Sequence, residues 1–234
     1  MDILIDYNTM NFSLNQIKQM ISNQYYYKYF KTLPSDENIE NDNRGVPKIN
    51  KFFYGLFIRF KRIPTWKEVY DYYTYHWCEW CINGNMTFKK ELRDKYPRFD
   101  YTFNPKALEH KILNTYMSLL KEVYILYWLF DKGITTAYYS LKTDKDGFDI
   151  MLTNRFNYKY GFKIYVDTKR AKSFANIKTE ERNKLPEETV SISIRVQPSN
   201  KTSLQIGDTF VPTDKTLNGI YHYINNNIRK DIII

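Results

Sequence analysis

The stretch from Asn104 to Gly133 constrains the fold of this chain more than any other part of the sequence. Asn104-Pro105 is a strong helix start, with Asn as the N-cap and Pro at the first helical position. Apolar residues follow on almost every side of the predicted helix as far as Asp131, and Gly133 ends it. Such a helix is normally buried on several sides. We therefore expect a long central helix between a helical N-terminal part and the rest of the chain.

After this helix the spacing of apolar residues changes to alternation, which predicts strands. Four candidate strands lie at residues 137–141, 147–153, 161–169 and 190–196. A polar segment at 173–184 predicts a helix between the third and fourth strands. Residues 204–211 are typical of a short hairpin, and residues 216–230 of a closing helix. The predicted order is helix, three strands, helix and strand, which indicates an α+β or α/β fold.

The first hundred residues predict mainly short helices. Ser13-Leu-Asn-Gln16 is a capping-box pattern that opens a helix running to about Phe30, and Thr65-Trp-Lys-Glu68 is a second one. A polar loop rich in turn residues occupies 33–48, and 87–96 predicts another short helix. We place the boundary between residues 1–103, a helical region that binds DNA or a partner, and residues 104–234, the core with its C-terminal helix.

Composition restricts the class of partner. The chain has 234 residues, a hydrophobic content of 43% and a formal charge of +9, so it can bury a core and favours a polyanion, nucleic acid first. It contains two Cys, which excludes a disulfide framework. No basic, apolar leader opens the sequence, and no apolar run approaches the roughly 18 residues of a membrane span. We expect a cytoplasmic protein without a membrane partner.

The strongest chemical pattern in the sequence consists of two acids, Asp149 and Asp167, and one lysine, Lys169. Alternation along the third strand places Lys163, Asp167 and Lys169 on one face, which must meet solvent, a metal or a substrate. Asp149 heads the preceding strand, so a hairpin between the two would bring Asp149 and Asp167 to one end of the sheet. Carboxylate oxygens are the ligands that Mg²⁺ prefers, and the bound ion stabilises charge that develops on a phosphate.

The central helix adds a third acid. Glu122 lies on a mostly apolar face, where a carboxylate is costly unless it is paired or bound to a metal. The alternative is an ion pair or hydrogen bond with a core Lys, Arg or Tyr.

Together, Glu122, Asp149 and Asp167-Thr168-Lys169 resemble the PD-(D/E)XK nuclease superfamily over residues 105–200. The resemblance implies a restriction-endonuclease-like αβββαβ core with a central mixed sheet. It also implies that Asp149 and Asp167 are ligands of Mg²⁺ or Mn²⁺, that Glu122 is an accessory ligand, and that Lys169 lies near the attacking water. Phe148 replaces the Pro of the motif, and Asp167 replaces the commoner Glu.

The resemblance implies a metal-dependent endonuclease, with DNA favoured as the substrate. Basic residues near the motif are candidates for phosphate contacts: Lys142, Lys145, Arg155, Lys159, Lys163, Arg170 and Lys172. Cutting both strands of a duplex often needs two sites, so a homodimer is compatible with this function.

Alternatives remain open from the sequence. One alternative is a non-catalytic DNA- or partner-binding protein on a nuclease-like or unrelated fold, in which Asp167 and Lys169 are charges on an edge strand. Another is a nuclease that acts on RNA. A rival motif, Glu109-His110-Lys111, lies inside the predicted central helix and lacks a preceding Asp-bearing strand. Cys78 and Cys81 favour core packing over zinc, because no second Cys pair is present.

Overall fold

The computed structural model describes residues 3–9, 11–35, 48–82, 105–142, 148–166, 189–196, 203–226, 228 and 232–233. The chain divides into two compact units. One comprises Met1–Gln24 with Ser118–Ile234, and the other comprises Tyr25–Met117. The division at 103/104 from the sequence stays a prediction. In the contact-based division the first 24 residues group with the C-terminal unit, and the long helix contributes to both units.

The fold is mixed α+β. The helices are α1 (Leu14–Ser22), α2 (Tyr27–Phe30), α3 (Ile49–Phe60), α4 (Trp66–Ile82), α5 (Pro105–Asp131) and α6 (Asp214–Asn225). The strands are β1 (Leu4–Asp6), β2 (Tyr138–Ser140), β3 (Ile150–Thr153), β4 (Lys159–Val166), β5 (Thr189–Val196), β6 (Ser203–Ile206), β7 (Thr209–Pro212) and β8 (Ile232–Ile233). Within the described part of the chain, none of these helices is long and apolar enough to cross a membrane.

Both predicted capping boxes are present. The Ser13 side chain accepts from the backbone of Gln16, whose own side chain accepts from the Ser13 backbone. Glu68 accepts from the Thr65 backbone N–H at 2.7 Å. However, the prediction that α1 continues to Phe30 is wrong. The helix ends at Ser22, and the Gln24 side chain donates to the Met20 carbonyl, which satisfies the last turn.

Helix α5 confirms the central prediction. It runs from Pro105 to Asp131, and Gly133 follows it with a φ of +78°. The N–H of Gly133 donates to Phe130 and that of Ile134 to Leu129, which is the Schellman arrangement. Nearly the whole C-terminal half of α5 is buried, as expected for a helix that is apolar on most sides.

One mixed sheet organises the unit that contains the C-terminal half of α5. Its strand order is β1-β2-β3-β4-β5-β8. The pairs β1–β2, β2–β3 and β3–β4 are antiparallel, whereas β4–β5 and β5–β8 are parallel. The strands predicted at 137–141, 147–153 and 190–196 are therefore confirmed as β2, β3 and β5. The strand predicted at 161–169 is confirmed as β4 up to Val166, and residues 167–169 lie outside the described part of the chain. Because parallel neighbours need a crossover, a connection must pass from the end of β4 to the start of β5; the helix predicted at 173–184 lies outside the described residues.

The core lies against one face of the central strands. This face of β3, β4 and β5 is wholly apolar and buried, and includes Ile150, Phe162, Ile164, Ile192 and Ile194.

The predicted hairpin is present as β6–β7, which form a separate two-stranded sheet. Its turn residue Gly207 has a φ of +55° and lies so close to the backbone of Ser22 that a Cβ would be 2.9 Å from its carbonyl oxygen. A side chain at this position would therefore displace α1.

Candidate active site at the carboxyl end of the central strands

Asp149 is fixed to β4 by two hydrogen bonds. Its backbone N–H donates to the carbonyl of Phe162 at 2.8 Å. Its carboxylate oxygen Oδ2 accepts from the backbone N–H of Ile164 at 2.6 Å. These two contacts lie on either side of Lys163 in the sequence. The start of β3 is thereby held against the last part of β4, close to the point at which the chain proceeds to Asp167.

The hydrogen bond from Ile164 gives the Asp149 carboxylate a defined orientation. A backbone N–H that points at an ionised carboxylate favours the charged form of that carboxylate. Asp149 is half-buried, and its oxygens are hard donors of the kind that bind Mg²⁺ or Mn²⁺. The donor chemistry at this position therefore fits the divalent cation that the sequence pattern implies.

Lys163 is buried beside an aromatic ring. We expected its face of β4 to meet solvent, a metal or a substrate, and the Lys163 side chain on this face is 8% exposed. Its ammonium lies 5.5 Å from the centre of the Phe148 ring. The ring in turn covers Gly161, where a Cβ would lie 2.3 Å from a ring carbon. The Phe148 ring therefore lies over this part of β4, and the contact of Lys163 with a phosphate stays a prediction.

The remaining predicted basic residues occupy different parts of the sheet. Lys142, Arg155 and Lys159 are exposed. Arg155 belongs to the turn between β3 and β4, and Lys159 is the first residue of β4, at the opposite end of the strand from Val166, roughly 20 Å away. Lys142 follows β2, whose carboxyl end lies beside the start of β3. Lys145, Arg170 and Lys172 lie outside the described residues, as do Asp167 and Lys169.

Glu122 is buried in the C-terminal half of α5 beside a buried lysine. Both Glu122 and Lys121 are 7% exposed. Burial lowers the pKa of the Lys121 ammonium to about 8, although the Glu122 carboxylate acts in the opposite direction. The nearby Lys121 ammonium agrees in part with the alternative that Glu122 pairs with a charged or polar group in the core. The role of Glu122 as an accessory metal ligand stays a prediction.

Within the described ranges, no group of three or more His, Cys, Asp or Glu side chains could hold a metal ion. Asp167, the third carboxylate of the predicted set, lies outside these ranges.

The rival motif has a structural role. Glu109 accepts a hydrogen bond from the Tyr29 hydroxyl and pairs with Lys106 at 3.0 Å. His110 stacks on Phe30 with ring centres 4.6 Å apart. Both residues lie within α5, as the sequence predicts.

A polar contact that was not predicted from the sequence lies at this end of the sheet. Arg195 on β5 is the register partner of Tyr165 on β4, and its Nε donates to the Tyr165 hydroxyl at 3.2 Å. The signal was available in the alternation of β5: if Ile192, Ile194 and Val196 face the core, then Arg195 faces the opposite side.

Comparison with known protein families, with curated proteins and with solved structures finds no match to this chain.

Proposed function

We propose that this protein is a metal-dependent nuclease that hydrolyses phosphodiester bonds, with DNA as the favoured substrate, on a restriction-endonuclease-like core. One observation carries the proposal. Helix α5 is followed by the antiparallel series β2–β3–β4 and then by β5 parallel to β4, with Asp149 at the end of the sheet where β4 ends, one residue before Asp167. This order is compatible with the αβββαβ core that the sequence resemblance implies.

The residues that would hold Mg²⁺ or Mn²⁺ are Asp149 and Asp167, with Glu122 as the accessory ligand. When bound, the ion supplies charge stabilisation at the phosphate and a water of lowered pKa. The protein's own contribution at Asp149 is orientation, since the Ile164 N–H fixes one carboxylate oxygen at 2.6 Å. By the sequence resemblance, Lys169 would contribute a cation near the attacking water.

A second candidate function is non-catalytic nucleic-acid binding on the same fold. The hydrogen bond between Asp149 Oδ2 and Ile164 is compatible with this candidate, because it holds the start of β3 against β4 without needing a metal. Under this alternative the chain binds DNA with strong salt dependence but needs no divalent cation.

A cleavage assay separates the two functions. Labelled duplex DNA, single-stranded DNA and RNA of matched sequence would be incubated with the protein in Mg²⁺, in Mn²⁺ and in EDTA. We expect metal-dependent cleavage of DNA, and at least about a hundredfold slower cleavage by Lys169→Ala, as for loss of a group that assists proton transfer.

The matched control is Lys215→Ala, which removes an exposed lysine of α6 that is not part of the candidate site. DNA binding without cleavage under any metal condition would contradict the proposal and select the binding protein. Cleavage of RNA alone would reassign the substrate.

A further inference from the structure

The side chain of Asn154 fixes the conformation of the β3–β4 turn, residues 154–158. The Asn154 Oδ1 atom accepts from the backbone N–H groups of Phe156 and Tyr158, both at 3.0 Å. Its Nδ2 atom donates to the Ile224 carbonyl of α6 at 3.2 Å. Because Asn154 is 8% exposed, these hydrogen bonds are shielded from water, and they hold the turn in place against α6.

This fixed turn presents an aromatic ring to solvent. Phe156 is 47% exposed, although turns are normally built from Gly, Pro, Asn, Asp and Ser. The Arg155 guanidinium lies 4.8 Å from the centre of the Phe156 ring, but a cation–π contact at an exposed site contributes little to stability. A single exposed ring is common on protein surfaces. This ring is distinguished by the rigid backbone that carries it and by the cations beside it.

The sequence around the ring is basic. Arg155 and Lys159 are exposed, and they lie before and after Phe156 in the chain. No Asp or Glu occurs between residues 150 and 166. The β3–β4 turn therefore carries local positive charge next to an aromatic surface, which attracts a polyanion.

The combination suits single-stranded nucleic acid. Proteins bind single strands by stacking bases on aromatic side chains and by contacting the phosphates with cations. A membrane surface fits less well, because one ring offers little apolar area to bury among lipids. The turn lies at the end of β4 opposite to Val166, roughly 20 Å along the strand, so this surface is separate from the candidate active site.

We propose that the β3–β4 turn is a second contact for nucleic acid, in which Phe156 stacks on an unpaired base and Arg155 and Lys159 contact the adjoining phosphates. The inference rests on the proposed function for its choice of ligand, but it requires no cleavage. Bases of a duplex are already stacked on one another, and taking one out has a cost. The turn therefore favours substrates that contain a single-stranded segment.

The test measures binding of a labelled single-stranded DNA and of the corresponding duplex, in EDTA and over a series of salt concentrations. Phe156→Ala should weaken binding of the single strand about tenfold, as for loss of one base stack, and should leave duplex affinity unchanged. Phe156→Tyr keeps a ring and should keep the affinity. Arg155→Gln and Lys159→Gln should each reduce the slope of log affinity against log salt by about 0.7, which corresponds to one phosphate of a single strand.

The matched controls lie in the same compact unit, outside the turn. Leu204→Ala removes an exposed apolar side chain of β6, and Lys215→Gln removes an exposed cation of α6. Circular dichroism would first establish that each variant is folded. If Phe156→Ala does not fold, Phe156→Leu takes its place, and an affinity equal to that of the wild type would then overturn the inference.

Three further outcomes would overturn the inference even if the wild type cleaves DNA. The first is an equal loss of single-strand affinity in Phe156→Ala and Leu204→Ala, and the second is an equal salt slope in Arg155→Gln and Lys215→Gln. The third is binding to phosphatidylserine-containing vesicles that depends on Phe156 when binding to DNA does not. Single-strand binding that depends on Phe156 in a protein that never cleaves would support the inference and reject the nuclease activity alone.

Discussion

Two buried tyrosines of α5 differ in whether the hydroxyl group has a hydrogen-bond partner. The Tyr116 hydroxyl donates to the Pro64 carbonyl at 2.7 Å. The Tyr124 hydroxyl is equally buried but has no hydrogen-bond partner among the described residues, and burial raises its pKa. A buried polar group without a partner is destabilising, whereas a paired one is roughly neutral or favourable.

Phenylalanine substitutions should therefore have opposite effects at these positions. Tyr116→Phe leaves the Pro64 carbonyl unpaired and should lower the free energy of unfolding by about 1–2 kcal/mol. Tyr124→Phe should leave the free energy unchanged or raise it by up to about 1 kcal/mol. Urea unfolding followed by fluorescence measures both values. A Tyr124→Phe protein that loses as much stability as Tyr116→Phe would show that the Tyr124 hydroxyl is paired.

Glycines 161 and 219 make a second residue-scale contrast. A Cβ at Gly161 would lie 2.3 Å from the Phe148 ring, while nothing lies within 4 Å of one at Gly219. Gly161→Ala should cost about 1–3 kcal/mol, because the ring must move away from Lys163. Gly219→Ala, inside α6, should instead stabilise the protein by up to about 1 kcal/mol through helix propensity. Thermal unfolding of the two variants distinguishes them, and equal melting temperatures would contradict the packing of Phe148 on Gly161.

At the scale of elements, the start of α4 depends on one carboxylate. Glu68 accepts from Arg62 and from Thr65, and the Arg62 hydrogen bond is the main reason that its pKa falls to about 2. The folded pKa is below the unfolded value of about 4.3, so the stabilisation is present above that value and is lost as the pH falls towards 2.

The expected loss is about 1 kcal/mol, since the Glu68 side chain is 33% exposed and solvent screens the pair. Glu68→Gln should be less stable than the wild type at pH 7 by this amount, and the difference should vanish near pH 2. Urea unfolding at a series of pH values gives the two curves. Parallel curves from pH 7 to pH 2 would mean that the Glu68 charge does not support the helix start.

The elements with strong periodicity were the predictable ones. Helix α5 and strands β2 to β5 follow from the spacing of apolar residues, because each buries a regular face. Strands β1 and β8 have three and two residues, too few for alternation to be visible. Helix α3 was missed even though Phe52, Phe53, Leu56 and Phe57 are buried on one side of it.

The candidate site was predictable only in part, because its details arise from contacts between distant residues. The hydrogen bond from Ile164 to Asp149 joins residues 15 apart in the sequence, and the Lys163 ammonium lies 5.5 Å from the centre of the Phe148 ring, which precedes β3. Neither contact is visible in the alternation of a single strand. The pairing of Arg195 with Tyr165 depends on the parallel register of β4 and β5, which sequence spacing does not determine.

At the scale of the whole molecule, cation binding should be coupled to stability. A ligand that binds only the folded state stabilises it by about 2.7 kcal/mol at a hundred times its dissociation constant. Mg²⁺ should therefore raise the melting temperature of the wild type and of Asp131→Asn, whose exposed carboxylate ends α5. Asp149→Asn should show no Mg²⁺-dependent increase. Each variant is compared with and without Mg²⁺, so the stability lost by weakening the Ile164 hydrogen bond cancels. If Mg²⁺ raises the melting temperature of Asp149→Asn as much as that of the wild type, Asp149 does not bind the cation.

The net charge of +9 is compatible with both nucleic-acid functions, so it cannot choose between catalysis and binding. The deciding measurement is the rate of Mg²⁺-dependent cleavage of duplex DNA by Asp167→Asn beside Asp131→Asn, both with enzyme in excess over substrate. The nuclease account predicts that Asp167→Asn loses at least about a hundredfold in rate while Asp131→Asn cleaves like the wild type. Equal rates for the two variants would contradict it.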